Sequence, residues 1–280
     1  MMTSSRRRPD MSLFGSVNRM VTITINKNQY LAEEGEIFLL TALRLNIDIP
    51  HLCYEKALEP YGACRLCMVD VVTCGKTTMT PACTIKVHNG LEILTDTPEI
   101  IKHRRLLFEL YLAEAPKSEV IREMAAKYGV TKTRFLKKIV HDDPLFGKCI
   151  LCGLCVRVCN EIMGTSAINF INRGPYTVIN TPFFEHNPDC AGCAACAQVC
   201  PTKAIVFEDS DAERIMQSWS GTAVPLATCS SCKKSYAPEK LMDKVLDKLD
   251  PAIIEELRTL CPECRRKYIT RMEIGRIPRS

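Results

Sequence analysis

Two stretches decide the fold: Lys148-Cys149-Ile150-Leu151-Cys152-Gly153-Leu154-Cys155-Val156-Arg157-Val158-Cys159-Asn160 and Asp189-Cys190-Ala191-Gly192-Cys193-Ala194-Ala195-Cys196-Ala197-Gln198-Val199-Cys200-Pro201. Each reads Cys-x2-Cys-x2-Cys-x3-Cys, and an Ala-Ile pair follows each, Ala167-Ile168 and Ala204-Ile205. Such duplication marks an internal repeat. Three cysteines on one tight loop grip three irons of a cubane, while the fourth ligates the neighbouring cluster in two-cluster arrangements. The spacing therefore assigns one [4Fe-4S] cluster to Cys149, Cys152, Cys155 and Cys200, and a second to Cys159, Cys190, Cys193 and Cys196. Zinc sites take their ligands in pairs rather than in runs of four. Pro201 follows Cys200 as the ferredoxin run expects, but Asn160 follows Cys159, so the local turn there is open.

Upstream, Cys53-x10-Cys64-x2-Cys67-x15-Cys83 spreads its thiols as one, a pair and one. That suits a rhombic [2Fe-2S] cluster in which each iron takes two thiolates, with a zinc site as the alternative. Small residues in Gly62-Ala63-Cys64 leave room for backbone N–H groups to approach sulfur. Cys74 is left over as a bystander in the loop. Downstream, Cys229-x2-Cys232 and Cys261-x2-Cys264 have zinc-ribbon arithmetic with an unusually long gap. Zn²⁺ and iron both fit this ligand set, because sulfur alone does not separate them.

The surrounding chain supplies modules for these sites. Val21, Ile23 and Ile25 alternate with polar residues as a half-buried strand, Lys27-Asn28 supplies a turn, and Gln29 to Ala32 pairs back. Glu36 to Leu45 places Ile37, Leu40 and Leu43 near helical spacing. Met68 to Val72 reads as a strand, and Asn89-Gly90 as a hairpin turn between Ile85-Val87 and Leu91-Leu94. Thr97-Pro98-Glu99 starts a helix whose spacing runs through Leu107 and Leu110, breaks at Pro116 and resumes to Gly129. Its cations Arg104, Arg105, Lys132, Arg134, Lys137 and Lys138 read as a solvated or partner-facing surface. The expected class is α+β, with five segments: a flexible tail (1–20), a β-rich [2Fe-2S] ferredoxin-like domain (21–97), a helical connector (98–140), a dicluster [4Fe-4S] ferredoxin domain (141–208) and a small C-terminal zinc-ribbon-like, partly helical module (209–280).

Composition agrees. The chain has 280 residues, 46% hydrophobic and 25% charged, with a mean hydropathy of -0.02, which excludes disorder and bilayer-spanning runs. Seventeen cysteines in Cys-x2-Cys rhythm point to metal ligation in a reducing cytoplasm rather than to disulfides. The formal charge of +5 counts cysteines as neutral. Three clusters of four thiolates would bring it to about -1, so it argues weakly for a polyanion partner. Arg6, Arg7 and Arg8 lack the apolar stretch an export signal needs. The chain carries no Gly-x-Gly-x-x-Gly, phosphate loop, His-Glu-x-x-His or Gly-x-Ser-x-Gly, so no flavin or nicotinamide site and no catalytic residue is expected on it.

Residues from about Val21 to Glu208 resemble the N-terminal iron-sulfur region of the large peripheral-arm subunit of respiratory complex I, and the matching subunits of NAD-linked hydrogenases and formate dehydrogenases. The stretches that carry the resemblance are Asp48-Ile49-Pro50-His51-Leu52-Cys53, Glu59-Pro60-Tyr61-Gly62-Ala63-Cys64-Arg65-Leu66-Cys67, Thr95-Asp96-Thr97-Pro98-Glu99, Lys148-Cys149-Ile150-Leu151-Cys152-Gly153, Cys155-Val156-Arg157-Val158-Cys159 and Arg173-Gly174. The resemblance implies a plant-type β-grasp [2Fe-2S] domain followed by a bacterial-type dicluster domain. It also implies a partner like the NADH- and FMN-binding complex I subunit. A second catalytic partner would be a hydrogenase, a formate dehydrogenase or an electron-bifurcating transhydrogenase flavoprotein. The family commonly binds one more [4Fe-4S] cluster through a histidine and three cysteines. Here that window holds His88, His103 and His141 but no cysteine, so that cluster is expected to be absent. The chain leaves no room for the catalytic domain of larger relatives, so a cytoplasmic electron-carrying subunit is expected, with no nucleic acid and no membrane span. The alternatives are a free-standing ferredoxin-like shuttle and a redox-sensing zinc-ribbon protein that binds nucleic acid through Arg265-Arg266-Lys267.

Overall fold

The computed structural model describes residues 19–136, 143–246 and 259–276. The expected flexible tail (residues 1–18 of it), Lys137, Lys138, His141 and much of the linker between the two C-terminal cysteine pairs lie outside the described residues. The chain divides into two compact units, residues up to 51 with 65–104, and residues 52–64 with 105 onward.

The first unit is built on β-branched alternation. Strands β1 (Met20–Ile25), β2 (Asn28–Glu33), β3 (Met68–Thr73), β4 (Lys76–Pro81) and β5 (Glu92–Leu94) form one sheet in the order β2-β1-β5-β3-β4. The β1–β5 pair is parallel and the others antiparallel. Val21, Ile23, Ile25, Val69 and Ile93 are buried, together with Phe38 and Leu39 of helix α1 (Phe38–Arg44). One helix thus lays its buried face on a mixed sheet, the mixture of helix and sheet that the sequence implies.

Three local readings differ from the structure. Ile25 pairs with Asn28, so the first turn is Asn26-Lys27, both with positive φ, one residue earlier than expected. Asn26 fixes it there, because its side chain donates to Thr95 Oγ1 (2.7 Å) and accepts from Thr95 N (2.9 Å). Helix α1 buries Phe38, Leu39, Thr41 and Ala42 rather than a stripe through Leu40 and Leu43, and Leu43 is exposed. The Asn89-Gly90 turn is present, with Gly90 at φ 77°, but it closes no hairpin. Residues 85–87 make only a bridge from Lys86 to Ile37, and β5 pairs with β1 and β3 instead. Short apolar runs leave partner choice to tertiary packing. Strand β4, unassigned from the sequence, joins β3 through a two-residue turn at Cys74-Gly75, which leaves Cys74 exposed.

Helix α2 (Pro98–Glu114) starts at the expected Thr97-Pro98, with Thr97 Oγ1 accepting from Ile100 N and donating to Asp70 Oδ2 at 2.7 Å. Its buried stripe is Ile100, Arg104 and Phe108, four residues apart, not Leu107 and Leu110. Arg104 is therefore a correction: its side chain is fully buried, not solvated. The guanidinium donates to the carbonyls of Leu66 (3.3 Å) and Met68 (3.0 Å), which flank Cys67, and pairs with Asp96 at 3.3 Å.

The second unit continues α2 into α3 (Glu119–Lys127), which Ser118 caps and which ends at Gly129, where the sequence places its end. Phe108 and Tyr128 stack with centroids 5.1 Å apart. After the cysteine runs come the β6–β7 ribbon (Asn169–Ile171, Val178–Asn180), a four-stranded sheet in the order β11-β10-β9-β8 (Ser235–Pro238, Thr222–Thr228, Glu213–Met216, Glu208–Asp209) and helix α6 (Glu239–Leu246).

Because Asp96 is 59% exposed, its ion pair with Arg104 is screened, and the two carbonyl bonds carry most of the contribution. Arg104→Met strands both carbonyls and is expected to lower stability by about 2 kcal/mol, read as a lower denaturant midpoint at unchanged slope.

Candidate iron-sulfur and metal sites

The duplicated runs fold as duplicated loops. Leu151 and Gly153 in the first, and Gly192 and Ala194 in the second, all have positive φ between 52° and 78°. Each left-handed pair wraps the loop back on itself before a short helix, α4 (Leu154–Arg157) or α5 (Ala195–Gln198). The wrapping turns backbone N–H groups inward, as in the anion-binding nests of other proteins. Leu151 N donates to Cys149 Sγ (3.3 Å), and Ala204 N to Cys200 Sγ (3.3 Å). The runs differ after their last cysteine. Pro201 stops the helix behind Cys200, whereas Asn160 lets the first continue through a π turn, Val158–Ile162.

The two loops interleave their thiols. One small cavity is lined by Cys149, Cys152, Cys155 and Cys200 with Leu154 and Ile205. A second is lined by Cys159, Cys190, Cys193 and Cys196 with Met216 and Trp219. Burial pushes Cys149 up to about 12, Cys152 to about 11 and Cys196 to about 12, with neighbouring thiols adding to the effect. Cys155 is raised well above the ordinary thiol value for the same reasons. Raised in this way, Cys149, Cys152, Cys155 and Cys196 stay protonated unless a cation replaces their protons. The donor set therefore fits a polynuclear iron core, and Cys149, Cys152, Cys155 and Cys200 would hold one such core and the other four thiols a second.

Of the upstream cysteines, Cys67 and Cys83 are buried in the first unit, and Cys53 and Cys64 are buried in the second. Cys64 N donates to Cys53 Sγ at 3.2 Å. Tyr111 of α2 donates its hydroxyl to the Cys64 carbonyl at 2.8 Å. Burial, then the nearby Cys64, Cys53 and Cys152 thiols, hold that phenol far above its ordinary value, so it remains a donor. Arg157, between Cys155 and Cys159, donates to the Glu59 carbonyl (2.8 Å), pairs with Glu161 and lies over the Tyr61 ring, tethering the 59–61 loop.

In the C-terminal segment, Cys229, Cys232, Cys261 and Cys264 bring their sulfurs within 4.8 Å of one another. Cys261 N donates to Cys229 Sγ (3.3 Å) and Cys264 N to Cys261 Sγ (3.5 Å), with Cys264 in the first turn of helix α7 (Pro262–Arg276). Hydrogen bonds from the backbone of Cys232 and Cys261 lower Cys229 to about 6.

His88 is exposed, and His103 is half-buried against the Arg65 carbonyl. Residue spacing does not single out Trp219, Arg214, Lys240 or Tyr111. Each meets a cysteine loop far away in the chain, and only the lone tryptophan in the composition could have drawn attention.

Residues 18–98 match the family model for a 2Fe-2S iron-sulfur cluster binding domain, and residues 148–204 that for a 4Fe-4S dicluster domain. The chain is 30% identical over 207 residues to an NADH-quinone oxidoreductase subunit of Rhizobium meliloti, covering 67% of this chain and 24% of that protein. It is 31% identical over 234 residues to NADPH-Fe(3+) oxidoreductase subunit alpha of Geobacter sulfurreducens (76% and 27%). With NADP-reducing hydrogenase subunit HndD of Solidesulfovibrio fructosivorans it shares 30% over 216 residues (67% and 36%). It thus spans about a quarter to a third of these curated relatives. A chain of an NAD+-reducing [NiFe]-hydrogenase, solved in the H2-reduced state, superposes with TM-score 0.54 at 27% identity, covering 65% of this chain and 85% of that one. Both iron-sulfur domain models are thus matched in order, and the chain is homologous to these iron-sulfur subunits of NADH-quinone oxidoreductase and of NADP-reducing hydrogenase.

Proposed function

We propose that this chain is a non-catalytic electron-transfer subunit of a multi-subunit, NAD(P)-linked flavoprotein oxidoreductase. The observation that carries the reading is the partition of eight thiols from two duplicated loops into two four-cysteine cavities. Cys149, Cys152, Cys155 and Cys200 hold one [4Fe-4S] cluster, and Cys159, Cys190, Cys193 and Cys196 the other. Cys53, Cys64, Cys67 and Cys83 hold a [2Fe-2S] cluster. When bound, such clusters exchange single electrons. The chain's own residues fix sulfur positions through left-handed loops, exclude water with Leu154, Ile205, Met216 and Trp219, and offer N–H groups that favour negative charge on sulfur.

The C-terminal quartet is assigned Zn²⁺. A regular tetrahedron with 2.3 Å metal–sulfur bonds has edges of about 3.8 Å. Cys232 Sγ and Cys261 Sγ lie 3.8 Å apart, and a cubane would need its thiolates farther apart. The site then closes a zinc-ribbon-like module with a helical insertion, and iron in the same tetrahedron is the alternative the ligands also allow.

The relatives named above are subunits of NADH-quinone oxidoreductase and of an NADP-reducing hydrogenase. By extension the partners are an NADH- and FMN-binding flavoprotein subunit and a second catalytic subunit, of the hydrogenase, formate dehydrogenase or transhydrogenase type. Among the described residues, no helix is long and apolar enough to cross a membrane. The proposed location is the cytoplasm.

Anaerobic native purification tests the reading: about ten irons and about one zinc per chain are expected, with three paramagnetic centres after dithionite. Colourless material without such signals would overturn it. In Cys152→Ser, about four irons and one of the two [4Fe-4S] signals are expected to disappear, while hydride oxidation at the partner flavin persists and through-complex turnover is lost. In Cys261→Ser, zinc is expected to fall from about one per chain to near zero with iron content unchanged. Loss of iron in place of zinc would assign iron to that site.

A further inference from the structure

The matched dicluster domain ends at residue 204, yet the wall of the second thiol cavity is completed by residues beyond it. Trp219, in the turn between β9 and β10, is 1% exposed and donates its indole Nε1–H to Cys196 Sγ at 3.4 Å. Arg214 of β9 donates to the Gly192 carbonyl at 2.8 Å while paired to Asp209, which holds its guanidinium beside Cys193. Lys240 of α6 donates to the Pro188 carbonyl, which places an ammonium near Cys190. One indole N–H and two cations thus reach the 188–196 loop from a segment outside the family domain. The first cavity has a different surrounding, with a carboxylate, Asp143, near Cys149.

Reduction adds one electron to a cluster and makes or breaks no bond, so its potential follows the field at the sulfurs. Hydrogen bonds to sulfur and nearby positive charge stabilise the reduced form, and a nearby carboxylate opposes it. Resting on the cluster assignment above, we infer that the C-terminal extension is a potential-setting cover for the second [4Fe-4S] cluster, with Trp219 as its principal positioning residue. The second cluster is then the more oxidising of the pair, and an electron shared between the two resides there.

The test is a potentiometric titration of the full chain with dithionite as reductant, followed by electron paramagnetic resonance. Wild type is expected to show two [4Fe-4S] couples at different potentials. Trp219→Phe keeps the ring packing but removes the N–H. It is expected to move the higher couple alone to a more negative potential, at full iron content. A shift that changes the reduced-to-oxidised ratio tenfold reads as 59 mV for a one-electron couple. Both [4Fe-4S] couples unmoved at full iron content, or the lower couple moving instead, would overturn the inference and leave the cluster assignment standing. Only one [4Fe-4S] signal in wild type would sink the assignment, and this inference with it. Should Trp219→Phe fail to fold, the wild type decides. With the chain's single tryptophan labelled with indole ¹⁵N, pulsed resonance should show nitrogen coupling to the higher-potential cluster, and no such coupling would overturn the inference.

Discussion

The structure depends on one electrostatic constraint: buried sulfur that functions only as thiolate must be given a positive environment. Burial alone drives Cys149, Cys152, Cys155 and Cys196 toward the neutral thiol. Eight thiolates gathered in two small cavities would repel one another unless cations were placed among them. An iron core in each cavity would resolve this. The protein's contribution is the left-handed loop, which turns successive amide N–H groups toward each sulfur instead of toward a helix ladder. The rest of the second unit serves those loops, with Arg157 tethering the 59–61 segment and the β9–β10 turn closing the second cavity.

Much of this could be read directly from residue spacing. A thiol run of fixed rhythm states a ligand geometry, so the division of eight cysteines into two groups of four needed no tertiary information. Helix punctuation was equally local: Thr97-Pro98 opens α2 and Gly129 closes α3 because caps, proline and glycine act within one turn. What could not be read is what depends on distant partners. The first hairpin slipped by one residue because Asn26 answers to Thr95, 69 residues away. The stretch 85–87 resembles a strand in composition, but β1 and β3 flank β5 and leave it no ladder. Arg104 looked like surface because charge patterning cannot foresee two carbonyls waiting at Leu66 and Met68.

The same reasoning separates the two four-sulfur environments. In the two loop cavities the thiols surround a void, whereas the C-terminal thiols crowd within 4.8 Å of each other and receive amides of the second cysteine pair, one within that pair and one across to Cys229. One geometry suits a polynuclear core with delocalised charge, the other a single small cation. Composition counts seventeen equivalent cysteines, and the backbone makes them chemically distinct.

The π turn behind Cys159 bears on how the duplicated halves can diverge. A π turn absorbs one surplus residue without breaking the helix that carries it. The first copy, with Asn160, therefore has a place where a deletion or insertion can be taken up locally. The second copy, stopped by Pro201, would transmit any such change into the Ala204-Ile205 wall of the neighbouring cavity. Drift in length among descendants of this gene should accumulate on one side of the internal pseudo-symmetry and spare the other.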